Sequence, residues 1–208
     1  MQSRKLIAIA ALVLMLAGCG SGQPASPAPR TTAAPTAAST AGPTAQPAPP
    51  GQPWAAKVPW LSTLPDPAKV DRSDPMAVAK AYTVTRHTWD SSIDRTEDYA
   101  LKRAGVYGSD NLKRSLEPMD PDLDKGQALI VNETPFRTWT STSITFSGRE
   151  GRAAHPGTDV IVVSWRMDLH RRKDGSRRSI TGDDDVKLIK GAAGQWQVEG
   201  SITREPAA

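Results

Sequence analysis

Residues 158–179 read TDVIVVSWRMDLHRRKDGSRRS. The run opens on the β-branched block Val160, Ile161, Val162 and Val163, then alternates. Trp165, Met167 and Leu169 fall on one side, Arg166, Asp168 and His170 on the other. Alternation at period two marks a strand with one face on a core and one in water. Asp174-Gly175 follows, a pair suited to a tight hairpin turn. Beyond it a strand is predicted from Arg177 to Lys190, bulged at Gly182. A turn at Ala192-Ala193-Gly194 leads to a last strand over 195–203, with Trp196, Val198 and Ile202 on one face. Working upstream, residues 135–147 alternate again: Phe136, Thr138, Thr140, Thr142, Ile144 and Phe146 against Arg137, Trp139 and Ser141. Four long strands joined by short turns predict an antiparallel meander.

The period changes before residue 120. Asp74-Pro75 supplies an N-cap and a proline at the first helical position. Val78, Tyr82, Thr85 and Trp89 then lie on one stripe of a helix predicted to about Asp90. A second helix is expected over 96–106, capped by Thr96, with Tyr99, Arg103 and Val106 in phase. A third runs from after Ser109 to about Glu117, pairing Leu112 with Leu116 and stopped by Pro118 and Pro121. Helices first and a meander after is an α+β layout, with the N-terminal helices packed on a curved four-stranded antiparallel sheet. The aromatics Tyr82, Trp89, Trp139, Trp165 and Trp196 are assigned to its core.

At this point the chain resembles the nuclear transport factor 2-like (cystatin-like cone) superfamily, and within it a family of actinobacterial surface and conjugation-associated proteins. The residues that carry the likeness are Asp74 through Tyr82 leading to Trp89-Asp90, the segment Lys102-Arg103-Ala104, and the terminal strand from Gly194 to Glu199. The likeness covers roughly 70–204 and rests on fold features rather than on a site. It implies a cone between helix and sheet, and a role in binding or assembly at a cell surface.

The first 18 residues read as a signal peptide: Arg4 and Lys5, then an apolar run from Leu6 to Leu16. That run is too short to cross roughly 30 Å of hydrocarbon as a helix. It ends in Leu16-Ala17-Gly18-Cys19, which resembles the lipobox of bacterial lipoproteins at each position. The resemblance implies cleavage before Cys19 and acylation of its thiol, which places the protein on the extracytoplasmic face of the cell membrane. Acyl chains contribute roughly 0.8 kcal/mol per buried CH₂, so two or three make a stable anchor. Residues 19–59 follow as a Pro/Ala/Thr-rich tether, and 60–208 as the globular domain. The tether holds most of the 18 prolines and, among charged residues, Arg30 and Lys57 alone. In a polyproline-like state it would reach on the order of 120 Å, as a flexible coil about 35 Å. Trp54 and Trp60, at its end, are expected either to dock on the domain or to meet a partner.

Cys19 is the single cysteine, so the domain depends on its core and not on disulfides. The net charge of +4 is spread among acidic residues and lacks the clustered cationic face that nucleic acid requires. No phosphate loop, Cys/His metal spacing or nucleophile elbow is present, so no cofactor and no metal are expected.

Acid–base candidates for a cone interior are Asp90, Asp168, His170, His87 and Tyr82, and the candidate pocket is written as Tyr82, Trp89 and Asp90. Asp168 and His170 share a strand face, but it is the face opposite the apolar residues, which favours a solvated charged ladder. Asp183-Asp184-Asp185 lacks the spacing and glycine of a calcium loop and is read as a solvated bulge; His155 stands in a loop without a second ligand. Arg171, Arg172, Lys173, Arg177 and Arg178 cluster at a hairpin tip, as a contact for an anionic partner or as edge protection. With catalytic residues unidentified, the sequence points to a membrane-anchored module that binds a protein or an envelope component, as an accessory of a secretion or conjugation assembly. The alternative is a small-ligand-binding or isomerase-like enzyme using the cone.

Overall fold

A computed structural model describes residues 41–50, 58–120, 128–149 and 155–204. Leu16, Ala17, Gly18, Cys19 and Trp54 lie outside them. The architecture is α+β, with helices packed against a four-stranded antiparallel meander.

The first long helix, α1 (Pro75–His87), starts where the sequence places it: Asp74 is extended and its carboxylate accepts from the Met76 amide at 2.9 Å. It stops three residues short of the expected Asp90. Thr88 turns extended, and the chain leaves the helix because the next backbone groups are claimed by a strand. The Trp89 amide donates to Thr140 Oγ1 at 2.8 Å, and the Thr140 amide donates to the Trp89 carbonyl at 2.9 Å. Long-range pairing here overrides a helical stripe that is otherwise correct, since Val78, Tyr82, Thr85 and Trp89 are all buried. The second helix, α2 (Asp98–Ala104), continues into a 3₁₀ turn at Gly105–Tyr107, and its stripe of Tyr99, Arg103 and Val106 is buried as expected. Ser109 caps α3 (Asp110–Leu116) by accepting from the Leu112 amide at 3.1 Å. A fourth helix, α4 (Ala128–Glu133), is not foreseen by the sequence, because six residues are too few to display a period.

The main sheet has the order of the chain: Thr138–Arg149, Thr158–Arg171, Arg177–Lys190 and Trp196–Arg204. A two-stranded ribbon precedes it, β1 (Ala45–Gln46) against β2 (Trp60–Leu61), so the four sheet strands are β3 to β6. Part of the segment read as tether is therefore paired to the start of the domain. Gly42 lies close enough to Arg172 and Trp139 that a Cβ there would fall 2.7 Å from the indole. Trp60 and Leu61 join the core with Val78, Tyr82, Ile161 and Val163.

Three expectations on the sheet are corrected. Gly182 sits in unbroken register opposite Trp165, and no bulge occurs there. It is small because the indole lies across it, 2.5 Å from where a Cβ would stand. The bulges fall instead in β3, between Ile144 and Phe146, and in β6, where Lys187 faces Gly200 but Leu188 faces Val198. The second bulge reverses the inward parity of β6. Trp196 and Val198 are buried, but beyond Glu199 it is Ser201 and Thr203 that turn inward and Ile202 is 69% exposed. Trp139 is also not core. Its neighbours Thr138 and Thr140 face inward, fully buried, so Trp139 lies on the outer face, stacked on His170 at 4.0 Å between ring centroids.

Candidate functional site

The end of α1 and the inner face of β4, β5 and β6 meet around one carboxylate. Asp184 is completely buried, not part of a solvated bulge: strand parity sends Asp183 and Asp185 outward and Asp184 in. Every group touching it is a donor. His87 Nε2 lies 2.9 Å from Oδ2 and 3.2 Å from Oδ1, Thr203 Oγ1 donates at 2.8 Å, Thr83 Oγ1 at 3.1 Å and Trp165 Nε1 at 3.3 Å. Burial is the largest influence on this carboxyl and opposes ionisation. The His87 hydrogen bond, the charges of His87 and Arg86, and the Thr203 hydroxyl outweigh it, and hold the group below its ordinary 3.8. The His87 ring in turn stacks on Trp165, 4.1 Å between centroids.

His87 lines a cavity of about 330 Å³ whose apolar wall is Trp89, Leu101, Leu129, Trp165, Met167 and Ile180, with Arg86, Glu97, Asp98 and Thr203 as its polar groups. Of the expected pocket residues, Trp89 alone lines this space. Tyr82 packs in the other half of the core, its hydroxyl 3.0 Å from Ser201 Oγ. Asp90 is buried outside the cavity and receives a two-pronged contact from Arg172, at 3.0 and 2.6 Å. His87, which lines the cavity, and Asp184, buried behind it, are 97 positions apart in the chain. A signal for Asp184 was present in the alternation of β5, but choosing one aspartate from three requires the strand register.

The remaining candidates fall on the outer face or at the hairpin. Asp168 accepts from Ser179 and from Arg166 Nε, and these hold its carboxyl below the ordinary range. His170 is kept low by burial and by Arg177, and its Nε2 meets Ser141 Oγ at 3.1 Å, not Asp168. The charged ladder expected there is what forms. Three of the five basic tip residues turn back onto the protein. Arg171 grips the buried Glu133 through two 2.8 Å bonds, Arg178 adds a contact at 3.5 Å, and Arg172 holds Asp90. The Arg171 hydrogen bond is the largest of the influences that lower the Glu133 carboxyl. Arg177, with Trp139 and His170, borders a small notch of about 160 Å³, and Lys173 is exposed beside it. His155 is an exposed loop residue, and no cluster of metal-ligating side chains occurs among the described residues. No described helix is long and apolar enough to cross a membrane.

No protein-family model matches the chain, and no curated protein matches it. Among solved structures, an IcmL-like type IV secretion system protein from Legionella pneumophila is similar in fold, with a TM-score of 0.45 and 10% sequence identity, over 70% of this chain and 96% of that one.

Proposed function

We propose that this protein is a lipid-anchored extracytoplasmic binding module whose sheet docks a partner protein or envelope component. What supports the reading is the outer face at the far end of the sheet. Two cross-strand rows run there, Phe146–Ser164–Asp183–Arg204 and Gly148–Val162–Asp185–Ile202. Phe146 and Ile202 stand 60% and 69% exposed at the two edges of a row pair whose middle is acidic. Large apolar side chains around polar ones, on a face the helices leave open, suit a moderately polar protein interface. The sequence resemblance to surface and conjugation-associated proteins gives this reading its specific form, an accessory of a secretion or conjugation assembly. The lipobox supplies the address: Cys19→Ser should release the protein from membranes or leave it unprocessed, read by fractionation and lipid labelling. A photo-crosslinking residue at position 146 should give discrete adducts in cells where one at Ser115, on α3, does not; equal yields from both positions would overturn the reading.

The alternative, a cone that takes a small ligand or runs isomerase-like chemistry, has one observation in its favour. A carboxylate-held imidazole beside a partly apolar cavity is an arrangement used for ligand recognition and for general base work.

A further inference from the structure

The Asp184 carboxylate, ringed by donors, settles which way the His87 ring is protonated. A carboxylate only accepts, so Nε2 must carry hydrogen whether the ring is neutral or charged. In the neutral ring, Nδ1 is then a bare lone pair. The ring's contacts are the two bonds to Asp184 through Nε2 and the stack on Trp165, so Nδ1 has no protein partner among the described residues. It is the imidazole nitrogen left for whatever fills the cavity that His87 lines.

The space beside it sets the ligand's chemistry. About 330 Å³ lies at the lower end of the roughly 300–1,000 Å³ common to small-molecule sites. It is also far more than a single water, whose share of liquid volume is about 30 Å³. Two indoles, Trp89 and Trp165, together with Met167 and Leu129, favour a flat apolar body. Arg86 is set against Glu97 and Asp98, so the charged groups of the rim do not favour an anion. We propose that the cavity binds a small uncharged aromatic alcohol or phenol, whose hydroxyl donates to His87 Nδ1 while its ring lies against Trp89 and Trp165. Asp184 acts as a positioning residue, holding the imidazole in the tautomer that accepts. This inference rests on the small-ligand alternative and is independent of the docking face around Phe146, so either can fail alone.

The test compares 2-naphthol with 2-methoxynaphthalene, which has the same ring system and no donor. The protein is the chain from residue 19 onward carrying Cys19→Ser, so that no acyl chain competes, and the readout is NMR of the Trp89 and Trp165 indole N–H signals during titration. Both signals should shift saturably, and 2-naphthol should bind about tenfold tighter, the order expected of one net hydrogen bond. His87→Phe should abolish that preference. His87→Gln, whose amide donates to Asp184 and whose carbonyl accepts, should keep part of it, which a merely structural role for the residue would not produce. Leu129→Trp, filling the cavity away from the dyad, should block both probes. Equal affinity of the two probes, indole signals that stay in place up to the solubility limit, or a preference that survives His87→Phe would each overturn the proposal. Loss of crosslinking from position 146 would leave these results unchanged.

Discussion

Two of the buried carboxylates in this domain, each holding a basic side chain, end in different places. Asp94 and Arg103 form a closed knot. Both side chains are essentially inaccessible, their two bonds are 2.7 and 2.5 Å, and the guanidinium also donates to the carbonyls of Pro59 and Thr88. One arginine thereby joins α2 to the incoming chain and to the end of α1. Asp184 and His87 use the same ingredients, but the base is an imidazole, 13% exposed, with one nitrogen directed to no protein group. The lesson is about valence. A guanidinium stays charged and presents five donors, and here four of its bonds end on protein, which makes a clamp. An imidazole has two nitrogens, and a carboxylate on one of them orients the other for use. Burial of charge alone therefore does not identify a site, and neither does a spare valence, since the Arg103 Nε–H is itself buried without a partner; what sets His87 apart is that its ring lines a cavity.

That contrast breaks first at the closed knot. Asp94→Ala leaves the Arg103 guanidinium buried without its counter-charge and should cost about 3–5 kcal/mol, read by denaturant unfolding. Replacing both residues with Met and Leu of similar volume should recover much of that loss, whereas a loss as large as the single variant's would show that the pair contributes by attraction and not merely by satisfying itself. Gly182→Ala comes next, because its Cβ would stand 2.5 Å from the Trp165 ring and the indole must move. Overpacking of this kind costs roughly 1–3 kcal/mol, and displacement of the indole from Asp184 should appear as a shifted Trp165 N–H resonance. An effect of the same order, and the one that sharpens the comparison, belongs to Asp184→Asn, at about 1–3 kcal/mol. The folded carboxyl sits below 3.8, so its contribution is present at pH values above 3.8 and is lost as pH falls through the depressed folded value. The deficit of the Asn variant should thus narrow as pH falls below about 3.8. A deficit that grows below pH 3.8 would contradict the sign of the shift.

Much of the fold was legible before any coordinates. Trp165, Met167 and Leu169, the alternating apolar residues of β4, are all buried, and from the block before them Ile161 and Val163 continue the inward face. Asp74-Pro75 starts α1, Ser109 caps α3, and Asp174-Gly175 turns with Gly175 at φ 70°. These are local matters: a cap, a turn and an alternation are decided by neighbours one to four positions away. The cavity was legible at Trp89 and at His87, one of five acid–base candidates. Tyr82 and Asp90 share the helical stripe or its extension, but one packs into the other half of the core and the other is drawn off by Arg172, 82 positions later. The basic hairpin tip looked like a cationic surface because Glu133, on the short helix α4, and Asp90 are distant in sequence from the arginines they neutralise.

What the sequence alone determined is the order of the three longer helical segments and the four sheet strands, and the alternation within each stretch of strand free of a bulge. Only the tertiary structure decided the absolute parity. The bulge opposite Lys187 and Leu188 turned Thr203 in and Ile202 out, and the pairing of Gly182 with Trp165 placed Asp184, rather than Asp183 or Asp185, beneath His87. The reason is geometric: a strand's side chains repeat every two residues, so one inserted residue exchanges its faces, and an insertion of that kind leaves no mark in composition or period.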